Sequence, residues 1–271
     1  GTTVIVRLDG TGRVAPNASY GQHDVWSDYA AVALFGYDGL DRTGNGNARA
    51  SGDPDWLKGT VLHTFTEDPH QGGDFHGTYY YIVDTNAIYK FDLSWTLVAS
   101  NLDPIGDTGL ATVNHCGDPC IKDGLLYIPL EYYTTGSSSD QHIVTFDTAT
   151  LSFVGAHDVS AGDREASSIC YCPADNNFYI ADYIAGKVHK WSSSFSYVGE
   201  FTIDAIVNKL QGITWWQERF WIVDDDLDEV FPVSLTGKSI RQHATSTVNG
   251  VFGQAVGGAL EGIFVGPNGG L

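Results

Sequence analysis

The chain has 271 residues, 42% of them hydrophobic and 13% aromatic, enough for one packed core without staples. Its 33 acidic and 14 basic residues leave a formal net charge of −19, which repels phosphate backbones and anionic bilayers and excludes nucleic-acid partners. No stretch approaches the roughly 20 apolar residues that insert across a membrane, and no like-charge block or long polar tract marks disorder.

From the N-terminus, Val4-Ile5-Val6-Arg7-Leu8-Asp9 alternates as a strand with one covered face. Gly12-Arg13-Val14 offers a short outer strand. Residues 15–59 are rich in Gly, Asp and Asn, and read as an insertion over one face of the domain. The same region also offers a diverged sixth unit, around Ala30 to Phe35 and Val61 to Phe65.

Five strand anchors then recur at spacings of 42 to 52 residues: Tyr81, Tyr127, Tyr179, Trp221 and Phe264. Each opens an aromatic and aliphatic run, such as Tyr81-Ile82-Val83-Asp84 or Trp221-Ile222-Val223-Asp224. A second strand follows in four units, as in Ile88-Tyr89-Lys90-Phe91-Asp92 and Ile143-Val144-Thr145-Phe146-Asp147. A shorter outer strand comes after it, at Trp95 to Val98, Leu151 to Val154, Tyr197 to Glu200 and Lys238 to Arg241. The Phe264 unit ends before its later strands, and the N-terminal strand from Val4 supplies the missing partner. The expected fold is an all-β, five-bladed β-propeller over residues 1–271, closed by that N-terminal strand, with six blades as the alternative. Ring closure removes exposed sheet edges, which is why an array of such units closes.

The Tyr179-Ile180-Ala181-Asp182 strand, with the Ile88 to Asp92 type of strand after its anchor, resembles the β-propellers of the YVTN, NHL and SMP-30-like superfamily. In size, blade number and closure the chain is similar to olfactomedin domains. The resemblance covers most of the chain and implies a fold. Function does not follow from it, because that superfamily spans lactonases, lyases, hydrolases and binding modules.

Polar residues stand 10 to 14 positions before each anchor: His70, His115, Glu165, Gln211 and Gln254. The ring's pseudo-symmetry brings the starts of the innermost strands to one end of the axis. These side chains read as the lining of a wet channel, as acid–base groups or as metal ligands. His70, His115 and Glu165 form a two-histidine, one-carboxylate set suited to a transition metal. Pro69-His70-Gln71-Gly72-Gly73-Asp74 and Asn114-His115-Cys116-Gly117-Asp118 share a histidine, glycine, aspartate order. Asp74 and Asp118 would orient the histidines or cap turns.

Arg164 beside Glu165 offers a bidentate clamp for a substrate carboxylate, or a surface ion pair. Asp224, Asp226 and Asp228 form an acidic turn, read as solvated or as a Ca²⁺ site without EF-hand spacing. Tyr132 and Tyr183 follow anchor strands, where exposed rings would stack on sugars. No Gly-x-Ser-x-Gly, phosphate-binding or His-Glu-x₂-His motif is present, so no nucleotide or flavin cofactor is expected.

Cys116, Cys120, Cys170 and Cys172 allow three disulfide pairings, free thiols or zinc. Their even count in an acidic β protein leans towards an oxidising, extracellular setting. Asn17-Ala18-Ser19 is a glycosylation sequon. The chain starts at Gly1 and has no Met, a mark that leader removal and trimming share. These readings together point to a secreted hydrolase or lyase acting on a polysaccharide or small polar ligand at the axis, with a divalent metal, calcium or a transition metal, as the cofactor that its acidic and histidine side chains would take. The alternative is a non-catalytic glycan-binding propeller.

Overall fold

A computed structural model describes residues 2–9, 30–37, 58–64, 71–134, 137–162, 165–183, 186–203, 209–216, 218–224, 229–237, 252–253 and 260–267. The described chain is a β-propeller, built of antiparallel sheets arranged around one axis. Its one described helix is the five-residue Pro104–Thr108, capped by the Asp103 side chain.

Among the described residues there are five sheets. Blade one runs outward from the axis as Gly72–His76, Tyr79–Asp84, Ala87–Asp92 and Leu97–Asn101. Blade two has a split innermost strand, His115–Cys116 and Cys120–Lys122, then Leu125–Thr134, Ser137–Asp147 and Phe153–Asp158. Blade three comprises Ala166–Cys172, Asn177–Asp182, Lys187–Ser192 and Tyr197–Thr202. Blade four comprises Leu210–Trp216, Arg219–Asp224, Glu229–Val233 and Phe252–Gly253. The fifth sheet joins both ends of the chain, in the order Leu260–Phe264, Ala30–Tyr37, Thr2–Asp9, Lys58–Thr64. The innermost strands touch in a closed cycle, with Leu260–Phe264 returning to Gly72–His76.

The N-terminal strand therefore sits third in its sheet, between Ala30–Tyr37 and Lys58–Thr64. Two expectations are corrected here. Phe264 lies on an innermost strand, because among the described strands Leu260–Phe264 pairs with Ala30–Tyr37 alone. A buried aromatic and aliphatic run has the same pattern in a first or a second strand, so sequence periodicity does not separate them. The strands at 30–37 and 58–64 belong to this same sheet, whereas the sequence reads segment 15–59 as an insertion over a face, with a sixth unit around Ala30 and Val61 as the alternative. The outer place in the sheet is held by Lys58–Thr64; Gly12-Arg13-Val14 and 238–241 lie outside the described residues.

The second strands of blades one, three and four are buried along most of their length. Tyr81, Ile82 and Val83, then Tyr179 and Ile180, then Trp221 and Ile222 are all at 3% exposure or less. They pack between blades, as in the cluster of Tyr179, Ile213, Phe220 and Ile222. Third strands turn into outer strands through residues at positive φ: Trp95, Leu151 and Phe195. Each donates its N–H back to the end of the third strand, to the carbonyls of Asp92, Asp147 and Ser192. Trp95 and Leu151 are thus turn residues, and the outer strands start two positions later.

All four cysteines are free and buried. Cys116 packs between blades one and two, and Cys170 and Cys172 between blades three and four. Burial pushes the Cys116 thiol up to about 12 and Cys172 up to about 11. They behave as small hydrophobes, and none of the three disulfide pairings is formed.

The axis is filled by Asp118, which is fully buried. Its Oδ1 accepts the N–H of Gly73 at 3.1 Å and its Oδ2 that of Ile263 at 3.3 Å. The Ile213 N–H also reaches this carboxyl. Its own backbone N–H donates to Ser167 O at 2.8 Å, and its carbonyl accepts from Ile169. One side chain and its peptide unit thus join the innermost strands of all five sheets. Glycine is required around it: a Cβ on Gly262 would stand 2.7 Å from both Asp118 Oδ1 and Gly72 Cα.

Candidate functional site

The second strands of blades one, three and four end on an acid, Asp84, Asp182 and Asp224, and Glu131 stands within the longer second strand of blade two, Leu125–Thr134. Glu131, Asp182 and Asp224 are at 2% exposure or less. Register places them against the starts of the innermost strands, with His115 opposite Glu131, Ala166 opposite Asp182 and Leu210 opposite Asp224. The result is an acidic mouth at one end of the axis, above the Asp118 plug.

His115 and Glu131 form the best-defined unit of this mouth. Nδ1 of His115 lies 3.1 Å from Oε1 of Glu131. Glu131 is 2% exposed and the His115 side chain 20%. A carboxylate only accepts, so Nδ1 carries the hydrogen and Nε2 is the acceptor left for a ligand. The His115 ring leans on Tyr133, with centroids 5.3 Å apart. Asn114 fixes that partner by bonding both the N–H and the carbonyl of Tyr133, at 2.7 and 2.9 Å.

Glu165 stands just before Ala166, and its backbone carbonyl accepts from Tyr183 N–H at 3.0 Å. Its side chain is 7% exposed. Burial pushes its carboxyl up to about 8, and the charges of Glu131 and Asp182 add to the shift. Asp182 is itself held by His189, Nε2 to Oδ2 at 3.1 Å, and the other ring nitrogen faces Glu200 at 3.4 Å.

The other sequence-derived candidates are placed as follows. Gln211 is half-buried at a bulge between Leu210 and Gly212, equivalent to the bulge at Ser167 in blade three. Bulges re-aim side chains at the rims of sheets. Tyr132 is 41% exposed on the extended hairpin of blade two. Tyr183 is half-buried beside Glu165, with the Lys209 ammonium 5.7 Å from its ring centroid. Asp224 is buried at the mouth. His70, Arg164, Gln254, Asp226 and Asp228 lie outside the described residues. Among the described residues no group of three His, Cys, Asp or Glu side chains is arranged to hold a metal ion.

No described hydrogen bond joins Asp118 to His115, and His70, the histidine preceding Asp74, lies outside the described residues. Asp74 accepts from the N–H groups of Phe75 at 2.7 Å and Ile121 at 2.5 Å, tying blade one to blade two. Asp118 serves the hub. Buried backbone N–H groups between blades need acceptors, and the two aspartates meet that need. Glu131, Asp182, His189 and Gln71 belong to the mouth and were missed in the sequence. An acid three or four residues after each of the anchors Tyr81, Tyr127, Tyr179 and Trp221 is the available signal.

No protein-family model matches the chain, and no curated protein matches it in sequence. Among solved structures it is similar to a protein of unknown function from Bacteroides caccae. That match has 7% identity and a TM-score of 0.50, over 91% of this chain and 75% of that one. It is also similar to the glutaminyl cyclase of Myxococcus xanthus, at 13% identity and a TM-score of 0.49, over 72% and 70% of the two chains. For the virginiamycin B lyase of Staphylococcus aureus the values are 13% and 0.41, over 65% and 71%. Likeness at these identities speaks for the fold alone.

Proposed function

We propose that the chain is an enzyme of hydrolase or lyase type that carries out acid–base chemistry on a polar, carbohydrate-like substrate at the axial mouth, outside the cell. The observation that carries this reading is the His115–Glu131 pair: a buried carboxylate 3.1 Å from Nδ1 of a solvent-reached imidazole. Glu131 fixes the tautomer and ring orientation, and Nε2 takes a proton from the substrate and returns it. Glu165 supplies a second carboxyl for a substrate donor group, and Gln211 a further hydrogen-bonding side chain. Tyr132 and Tyr183 would hold flanking sugar rings by stacking.

A turnover screen against neutral and amine-bearing polysaccharides tests this. His115→Ala and Glu131→Gln should each lower kcat by about 10²-fold or more on any substrate found, the usual worth of a general acid–base group. Variants with full activity would refute the assignment. The exposed Tyr132 and Tyr133 favour a second reading, a glycan-binding propeller without chemistry. It predicts binding on a glycan array with no turnover and tolerance of Glu131→Gln. Elemental analysis of chelator-free protein separates a metal-assisted form of the proposal, built on His70, His115 and Glu165, from a metal-free one.

A further inference from the structure

The second strand of blade two outruns those of its neighbours. In blades one, three and four this strand has six residues and stops at Asp84, Asp182 and Asp224. Leu125–Thr134 has ten residues and continues past Glu131 through Tyr132, Tyr133 and Thr134. At about 3.3 Å per residue the extension rises on the order of 10 Å beyond the acid. It is a paired strand, with Tyr132 opposite Ser139 and Tyr133 opposite Ser138. Among these four blades the extension belongs to blade two alone, so the shared repeat does not account for it.

Successive residues of a strand point to opposite faces, so the two tyrosines serve different sides of the hairpin. Tyr133 is on the His115 side: the ring centroids are 5.3 Å apart and the planes are inclined by 35°. Its side chain remains 41% exposed. A side chain that must be ordered on binding costs affinity, and here the backbone beneath the ring is already fixed. The Asn114 amide acts as an extra peptide group beside the strand. Its Oδ1 accepts the Tyr133 N–H at 2.7 Å, and its Nδ2 donates to the Tyr133 carbonyl at 2.9 Å. The backbone N–H of Asn114 donates to the Glu131 carbonyl at 2.8 Å. Asn114 and His115 thus set an open aromatic ring beside an imidazole whose Nε2 accepts from a ligand. A group bonded to that nitrogen has the Tyr133 ring next to it.

We propose that Tyr133 is the stacking platform and specificity residue of the mouth, that Asn114 is its positioning residue, and that the group they receive is a neutral pyranose ring. The proposal rests on the axial mouth being the binding site and names its substrate class. A pyranose offers an apolar C–H face to the tyrosine and a hydroxyl edge that donates to Nε2 of His115. The acids of the same mouth, Glu131, Asp182 and Asp224, disfavour a sugar that carries a carboxylate. Tyr132, on the other face of the hairpin, serves at most a flanking position.

The test is isothermal titration of the full chain with cellotetraose, maltotetraose, N-acetylated chitotetraose and tetragalacturonate. At least one neutral tetrasaccharide should bind, and tetragalacturonate should bind about tenfold more weakly than it or not at all. On the sugar that binds, Tyr133→Ala should lose about tenfold, and Tyr133→Phe, which keeps the ring, less than about threefold. Tyr133→Leu keeps apolar bulk for folding and should lose as much as Tyr133→Ala. Tyr132→Ala should lose less than Tyr133→Ala. Asn114→Ala should cost about threefold in the parent and nothing further in Tyr133→Ala, since it acts through that ring. No binding by any neutral tetrasaccharide, a preference for tetragalacturonate, or full affinity in Tyr133→Ala would each overturn the proposal. Additive losses in the double variant would overturn the role of Asn114. Turnover is not read in this experiment, so its failure leaves the acid–base reading to be judged by the His115→Ala and Glu131→Gln activities.

Discussion

Oδ2 of Asp118 accepts the backbone N–H of Ile263 at 3.3 Å, across 145 residues of chain. The same carboxyl holds Gly73 of blade one, so one aspartate ties the closing sheet to the first blade at the axis. Removing it orphans buried N–H groups at roughly 1–3 kcal/mol each. Asp118→Ala should therefore lose about 3 kcal/mol or more in urea unfolding. A loss below about 1 kcal/mol would mean that the hub is held by strand packing alone.

The glycines around the hub give a separate check. Gly262→Ala forces a methyl against Asp118 Oδ1 and Gly72 Cα, which would stand 2.7 Å away. Overpacking of this kind costs about 1–3 kcal/mol. Gly155→Ala meets only Thr145 Oγ1 at 3.8 Å, and its Tm should stay close to that of the parent. Equal Tm values for the two variants would remove close packing at the axis.

Much of this architecture is legible in the sequence. Aromatic anchors every 42 to 52 residues fall on buried strands, and the Val4 strand closes the ring, because alternation and burial are local properties of a strand. The last sheet was harder to read. Its first strand looks like the second strands elsewhere, and its second strand sits over two hundred residues away at Ala30–Tyr37. His115 and Glu165 were visible by position, while Glu131 was not. A shift in register between Leu130 and Tyr132 puts the acid four residues after its anchor instead of three. The burial that raises the Glu165 carboxyl is a tertiary property that spacing does not carry.

Stability should fall as pH rises through the neutral range. Glu165 has an ordinary value of 4.5 and is held at about 8 when folded. Between these values the folded chain keeps a proton that the unfolded chain has lost, so this contribution is present at low pH and disappears towards pH 8. Asp74, raised to about 7 by burial, acts with the same sign. Glu165→Gln carries no such group. Its Tm relative to the parent should climb from pH 5 to pH 8.5, and a constant difference across that range would contradict the assignment.

The four cysteines should be inert in the native state. All are free and buried, with thiols raised by desolvation, and the thiolate is the reactive form. Ellman's reagent should find no fast-reacting thiol in native protein and all four after unfolding without reductant. Two fewer thiols in the unfolded protein would reveal a disulfide.

The central claim is that the axial mouth is an electrostatically loaded site and not a solvated acidic rim. The direct measurement is a ¹³C NMR titration of the side-chain carboxyls, with Glu165 assigned by its loss in Glu165→Gln. A Glu165 midpoint near 8 is the predicted result. A midpoint near the ordinary 4.5 would place that carboxyl in open solvent and contradict the site as described.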